Sequence, residues 1–256
     1  MTAAGTDRVP EDDCCNDHAS YEVITTEAAE LKESLKVSKR QGLALDIDET
    51  LSATNVKWFD RCIEQFGNPE GLSVDKLIDK YHLAQNNPAW QSKEAQEWMH
   101  GQRTAPEAQD DLPVIFGAVE GVKELQQVTN VVAYLTVRPE SVSENTKRWL
   151  REKGFPDLPV VAKPKEVPFE LGNQWKAYTL HALWPEVTGI VDDNPKVPMY
   201  VGPNYKGTIY FFGHDTTTYP WAIPCKTWTK VVETVRNKES AKGNGNEGTN
   251  ERNNRS

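Results

Sequence analysis

Apolar positions along the chain follow two rhythms. Ala28, Leu31, Leu35 and Val37 recur at helical spacing and predict a helix from Thr26 to Ser38, with Thr25 or Thr26 as its cap. The run Gly42-Leu43-Ala44-Leu45-Asp46-Ile47 reads as a buried strand that ends in acids. Over residues 53–112 strand alternation disappears. Trp58, Phe59, Cys62, Ile63 and Phe66 fit one helical face, Leu72, Leu77, Ile78, Tyr81 and Leu83 a second, and Trp90, Trp98 and Met99 a third, with Asn68-Pro69 and Asn86-Asn87-Pro88 as punctuation. This stretch reads as a helical insert. After Pro113, helices and strands alternate: helix 118–127, strand 131–135, helix 141–153 closed by Gly154, strand 160–162, helix 174–183, strand 189–191, strand 209–212 and helix 227–236. Such alternation requires crossover connections and predicts a parallel sheet covered on both faces. The expected architecture is therefore α/β, a Rossmann-like three-layer sandwich. Its core is built from residues 21–52 and 113–237, and a small helical cap from residues 53–112.

Composition adjusts this picture at the ends and in its chemistry. The polar stretches 1–20 and 238–256 contain too little apolar surface to offset chain entropy and are expected to be disordered. The chain has 256 residues, 38% of them hydrophobic, which suffices for one sizeable core and a smaller insert. No apolar run approaches the roughly 18 residues needed to span a membrane. The N-terminus lacks the basic start and apolar stretch of a secretory signal, so a soluble, cytoplasmic protein is expected. Cys14, Cys15, Cys62 and Cys225 form no C-x-x-C pair and read as scattered reduced thiols. The formal net charge of −9 argues against holding a long nucleic acid, while leaving room for one local phosphate pocket; no membrane partner is expected, for want of an apolar run long enough.

Three predicted strands end in polar residues: Asp46 and Asp48 after the first, Thr136 and Arg138 after the second, Asp192 and Asp193 after another. In an open parallel sheet, ligands bind in the crevice beyond the carboxyl ends of the strands, so these groups can converge on one site. Several carboxylates at close range require a cation between them or retained protons. All-oxygen ligands with room for water suit Mg²⁺, which in turn attracts phosphate.

The run Asp46-Ile47-Asp48-Glu49-Thr50-Leu51 resembles the first motif, D-x-D-x-[TV], of haloacid dehalogenase-like phosphatases. Leu135-Thr136 resembles the second motif, and Val191-Asp192-Asp193 the fourth in its double-Asp form. The resemblance covers residues 41–235 and implies a division of labour. Asp46 would attack phosphorus and form an aspartyl-phosphate. Asp48 would protonate the leaving oxygen and then deprotonate the hydrolytic water. Thr136 would donate to a phosphoryl oxygen. Asp46, the Asp48 carbonyl and Asp192 would hold Mg²⁺, with Asp193 in close support. The third motif is a lysine. Lys176, at the start of the helix feeding the fourth-motif strand, is preferred over Lys165 and Lys163. Arg138 is a further candidate for gripping phosphate bidentately, as in members with a Thr-x-Arg second motif; its alternative is a salt bridge that fixes the loop. Glu49 is expected to point away from the acids.

A helical insert between the first and second motifs would cover the site and exclude water, which favours small substrates. The layout, with Gly117 to Val122 opening the return helix and a late Trp228 segment, also resembles the 5′(3′)-deoxyribonucleotidases more loosely. The expected function is Mg²⁺-dependent hydrolysis of a small phosphate monoester, a nucleotide or sugar phosphate. The alternatives are a nucleic-acid end-processing 3′-phosphatase, a catalytically silent binding protein of the same fold, and a phosphotransferase.

Overall fold

The computed structural model describes residues 20–247, with side chains in the last helix described as far as residue 242. Residues 1–19 and 248–256, with Cys14 and Cys15, lie outside the described residues. Helix α1 (Thr26–Val37) begins at Thr25, whose side-chain oxygen accepts from the Ala28 N–H and satisfies one of the free amides of the first turn. Strand β1 (Gly42–Leu45) follows, buried along its whole length. The chain then forms α2 (Thr54–Phe66), α3 (Val74–Tyr81), α4 (Lys93–Thr104) and α5 (Ala118–Gln126) before it returns to the sheet as β2 (Val131–Pro139). The remaining order is α6 (Ser143–Glu152), β3 (Val160–Lys163), α7 (Gly172–Leu183), β4 (Val187–Asp192), α8 (Lys196–Val201), β5 (Thr208–Phe212), β6 (Ala222–Cys225) and α9 (Trp228–Glu247).

The six strands form one sheet in the order β3-β2-β1-β4-β5-β6, and every neighbouring pair is parallel. Side chains alternate between its faces, as strand geometry requires. Leu43 and Leu45 join a core with Val122, Trp149, Trp228 and Val231 from α5, α6 and α9. Ala44, Ala133 and Leu135 join a second core with Leu31, Trp175, Leu180 and Val197 from α1, α7 and α8. The fold is thus a three-layer α/β sandwich. α2, α3 and α4 pack around a separate cluster of Phe59, Cys62, Leu77, Trp90, Ala95 and Met99.

Three features differ from the sequence expectation. β2 runs on to Pro139, so Thr136 and Arg138 belong to the strand itself; its register against β3 shifts between Thr136 and Pro139. α8 and β6 are additional elements, and each hides behind a proline. Pro198 sits in the first turn of α8, where no intrahelical N–H bond is lost, and Pro224 sits in the edge strand. The third is a correction: residues 238–247, expected to be disordered, continue α9. The stripe Val231, Val232 and Val235 anchors that helix, Lys238 reaches the Thr208 hydroxyl, and the Glu239–Lys242 pair supports the next turn.

Candidate active site

β1 lies at the centre of the sheet, between β2 and β4. The residues that follow it are therefore flanked by the second- and fourth-motif segments. The Asp46 N–H donates to the Val191 carbonyl, which extends the β1–β4 ladder by one residue and sets Asp46 beside Asp192. The chain then tightens into a turn in which the Leu51 and Ser52 N–H groups both donate to the Ile47 carbonyl. Glu49 adopts φ of 56° in this turn, and its side chain leaves the acids to accept from the Asn55 N–H at 2.6 Å, at the start of α2.

The acids form two groups with different partners. In the first, Lys176 Nζ lies 2.5 Å from Asp46 Oδ1 and 2.6 Å from Asp192 Oδ2, with all three side chains nearly or fully buried. Asp193 joins these carboxylates: one oxygen from each of Asp46, Asp192 and Asp193 lies within 4.8 Å of the others. In the second group, Asp48 accepts from Arg138 Nε at 3.0 and 3.1 Å, from Arg138 Nη2 at 2.6 Å and from the Thr54 hydroxyl at 2.5 Å. Arg138 also donates to the Ser52 and Thr146 hydroxyls, so its guanidinium is directed at protein partners. Thr136 is fully buried; its oxygen accepts from the Arg138 N–H, which leaves its own hydroxyl proton free to donate.

The three candidate lysines are separated by geometry. Lys176, on the second turn of α7, is the one that reaches the acids. Lys163 is buried too, but its ammonium donates to the Pro164 and Val167 carbonyls at 3.1 and 2.5 Å and closes that loop. The Lys165 side chain is 81% exposed and 4.0 Å from Glu166.

Electrostatics follow from this division. Burial, reinforced by Asp192 and Asp48, raises the Asp46 carboxyl to about 7 against the opposing pull of Lys176. Burial and the neighbouring Asp192 and Asp46 raise Asp193 well above the usual carboxylate range. For Asp48, burial works upward, but the Arg138 charge and hydrogen bonds outweigh it and hold the carboxyl below its ordinary value. For Lys176, burial works downward, and Asp192 with Asp46 overcomes it and raises the ammonium. Glu49 is raised to about 7, chiefly by burial.

No protein-family model matches the chain. A candidate nucleotidase of Oceanobacillus iheyensis is 42% identical over 48 residues, 19% of this chain and 26% of that protein. A second candidate nucleotidase, of Bacillus cereus, is 49% identical over 39 residues, 15% of this chain and 21% of that protein. The matches thus span about a quarter or less of these curated relatives. Among solved structures, the chain is similar to a HAD family hydrolase of Deinococcus radiodurans with bound phosphate and sodium, at 12% identity and a TM-score of 0.44 over 77% of this chain and 88% of that one. It is also similar to a cytosolic 5′-nucleotidase IIIB bound to cytidine, at 12% identity and a TM-score of 0.37 over 85% and 93% of the two chains.

The three motif segments meet at one site, at the carboxyl ends of β1, β2 and β4.

The donor set at this site fits a divalent cation. Three carboxylates converge within 4.8 Å, and the Lys176 ammonium balances only part of their charge. A hard cation with oxygen ligands would balance the rest. The Asp48 carboxylate lies outside this trio. Sequence reasoning gave no role to four supporting groups, although Thr50 belongs to the first motif and Trp228 to the late segment noted there. The Thr50 hydroxyl donates to Asp193 Oδ1 at 3.3 Å, the Trp228 indole N–H fixes the Thr50 carbonyl at 3.1 Å, Thr54 holds Asp48, and His214 meets the Asp193 carbonyl. Gly121 bears on the second of them. A Cβ there would come within 2.6 Å of Trp228, so this glycine lets α5 approach the indole.

Proposed function

We propose that the protein is a Mg²⁺-dependent phosphatase that hydrolyses a small phosphate monoester, a nucleotide or a sugar phosphate, through an aspartyl-phosphate at Asp46. The observation that carries this reading is the convergence of Asp46, Asp192 and Asp193 on one another and on the Lys176 ammonium, beside the separately held Asp48. Mg²⁺, when bound by Asp46, Asp192 and Asp193, supplies charge neutralisation for the carboxylates and the phosphoryl oxygens.

The side chains divide the remaining work. An Asp46 carboxylate oxygen attacks phosphorus in line as the bond to the leaving oxygen breaks; Asp48, ionised in the substrate-free fold because Arg138 holds its carboxyl low, takes the proton of the bound phosphate monoester monoanion and passes it to that oxygen. Asp48, now a carboxylate, takes a proton from water as the water oxygen attacks phosphorus. This frees Asp46 and inorganic phosphate. The Arg138 fork and Thr54 keep Asp48 in the orientation from which both transfers start, so Arg138 acts on the reaction through Asp48. Thr136 donates its free hydroxyl proton to a phosphoryl oxygen. Lys176 keeps Asp46 ionised enough to attack, against the burial and the neighbouring acids that favour its protonated form.

The substrate class rests on a helical insert joined to the reacting acids. The first turn of α2 is hydrogen-bonded to Asp48 and Glu49, and Arg103 of α4 lies 4.4 Å over the Phe169 ring of the loop before α7. A cap held against the site excludes water and large esters. The nucleotidase names of the short curated matches favour nucleotides within this class. The free, buried Cys62 and Cys225 suit a reducing compartment, and we place the activity in the cytoplasm. Among the described residues, no helix is long and apolar enough to cross a membrane.

Borohydride reduction of enzyme quenched during turnover tests the intermediate directly. An acyl phosphate at Asp46 is reduced to homoserine with release of phosphate, and peptide mass spectrometry locates it. Homoserine at no position, in enzyme that is turning over, would remove Asp46 as nucleophile.

A further inference from the structure

The segment after β5 supports the acidic cluster from a direction that the catalytic motifs do not cover. Gly213, with φ of 81°, turns the chain sharply at the end of β5, a conformation that a side chain would strain, and its N–H is held by the Cys225 carbonyl. The turn brings His214 back over Phe211, where the two rings lie nearly parallel (10°) with centroids 3.7 Å apart. That stack fixes the direction of the imidazole, whose Nε2 lies 2.9 Å from the Asp193 carbonyl oxygen. A carbonyl can only accept, so Nε2 carries the hydrogen.

The carbonyl that His214 holds belongs to the peptide between Asp193 and Asn194. The N–H of that same peptide donates to Asp192 Oδ1 at 2.8 Å. A peptide group is rigid and planar, so holding its oxygen also orients its N–H. A path of two hydrogen bonds and one planar group therefore runs from the imidazole to the Asp192 carboxylate, whose second oxygen meets Lys176. On the far side of this loop, the Asp193 carboxylate is held by the Thr50 hydroxyl.

We propose that His214 is a positioning residue for the cation site: it fixes the Asp193–Asn194 peptide plane and thereby aims Asp192 and Asp193 at Asp46. This rests on the reading of the three carboxylates as cation ligands. Losing a hydrogen-bonding partner of a metal ligand lowers metal affinity about 10–100-fold. The same loss is expected here, because without the imidazole the peptide is free to rotate and Asp192 Oδ1 loses its donor.

Binding of Mn²⁺ to the full chain, followed by electron paramagnetic resonance without any substrate, tests the proposal. The proteins are the wild type, His214→Leu, His214→Gln and Phe211→Leu, each with a melting curve in chelator to show that it folds. The expected result is Mn²⁺ binding by the wild type, about 10–100-fold weaker binding by His214→Leu, recovery of most of that loss in His214→Gln, whose amide keeps an N–H, and an intermediate loss in Phe211→Leu. If the wild type binds Mn²⁺ and the folded His214 and Phe211 variants bind it equally well, the positioning role is overturned while the cation reading stands. A wild type that binds no Mn²⁺ overturns the cation reading and this inference with it. Should His214→Leu fail to fold, the Phe211→Leu and His214→Gln results decide in the same way.

Discussion

Arg138 grips Asp48 through Nε, 3.0 and 3.1 Å from its two carboxylate oxygens, and through Nη2 at 2.6 Å. The Arg138 side chain is 5% exposed and that of Asp48 28%, so the pair is shielded from screening by solvent. Removing one member of such a pair leaves an uncompensated charge. Arg138→Met is expected to lower stability by about 3 kcal/mol in urea unfolding at neutral pH. The sign of its pH dependence follows from the depressed Asp48 carboxyl. Stability from this pair is complete above the unfolded carboxylate value and is lost as pH falls through the lower folded value. The acid limb of the stability curve should therefore be flatter in the variant; an unchanged limb would show that Asp48 does not depend on Arg138.

Asp46 presents the opposite linkage. Its carboxyl is raised to about 7 in the cation-free fold, so between the ordinary carboxylate range and about pH 7 the folded state binds a proton that the unfolded state has lost. In chelator, stability should fall as pH rises from about 4 to about 7. Adding Mg²⁺ should reverse much of that fall, and Asp46→Asn should flatten it. Melting temperatures across this range, with chelator and with Mg²⁺, provide the check; a rise in stability with pH in chelator would contradict the crowded-acid description.

Lys176 is the counter-charge for two buried carboxylates, and Lys176→Met should leave both unpaired. A loss of about 3–5 kcal/mol is expected in cation-free protein, with a larger Mg²⁺-induced rise in melting temperature than the wild type shows. Lys163→Met should show no such enhanced response to Mg²⁺, because Lys163 closes a loop on backbone carbonyls instead. Equal responses from the two variants would undo the assignment of Lys176.

The seam between the insert and the core is narrow at Arg103, which hydrogen-bonds Gln85 at 2.6 Å and stacks on Phe169. Arg103→Ala should remove a contact worth about 1 kcal/mol and speed amide exchange in α4 without changing exchange in β1. Unaltered exchange in α4 would show that the insert is held by its hinge alone.

The sequence announced the acids but not their grouping. Asp46, Asp48, Asp192 and Asp193 were legible because each follows an apolar run that must end at the same edge of a parallel sheet. Among the lysines, the sequence favoured Lys176 for its place at the start of the helix feeding β4 but left Lys165 and Lys163 open, because only the backbone decides which of the three is aimed at the acids. The reach of β2 was underestimated at its far end, where apolar and polar side chains alternate: Thr136 is buried with its oxygen on the Arg138 N–H, and Arg138 is buried by hydrogen bonds to Asp48, Ser52 and Thr146, which hydrophobicity does not register. Pro198 and Pro224 concealed an element each. His214 and Thr54 carried no sequence signal, since their roles depend on a left-handed glycine turn and on a helix start that becomes meaningful only in three dimensions.

Phosphate release from p-nitrophenyl phosphate and a panel of nucleotides and sugar phosphates, with Mg²⁺ and with chelator, puts the phosphatase chemistry of Asp46 to the test when run on the wild type, Asp46→Asn and Asp48→Asn. Mg²⁺-dependent release by the wild type is expected, none by Asp46→Asn although it remains folded, and a severe loss in Asp48→Asn. Release that survives in Asp46→Asn, or a folded wild type silent across the whole panel with Mg²⁺ present, would contradict that chemistry.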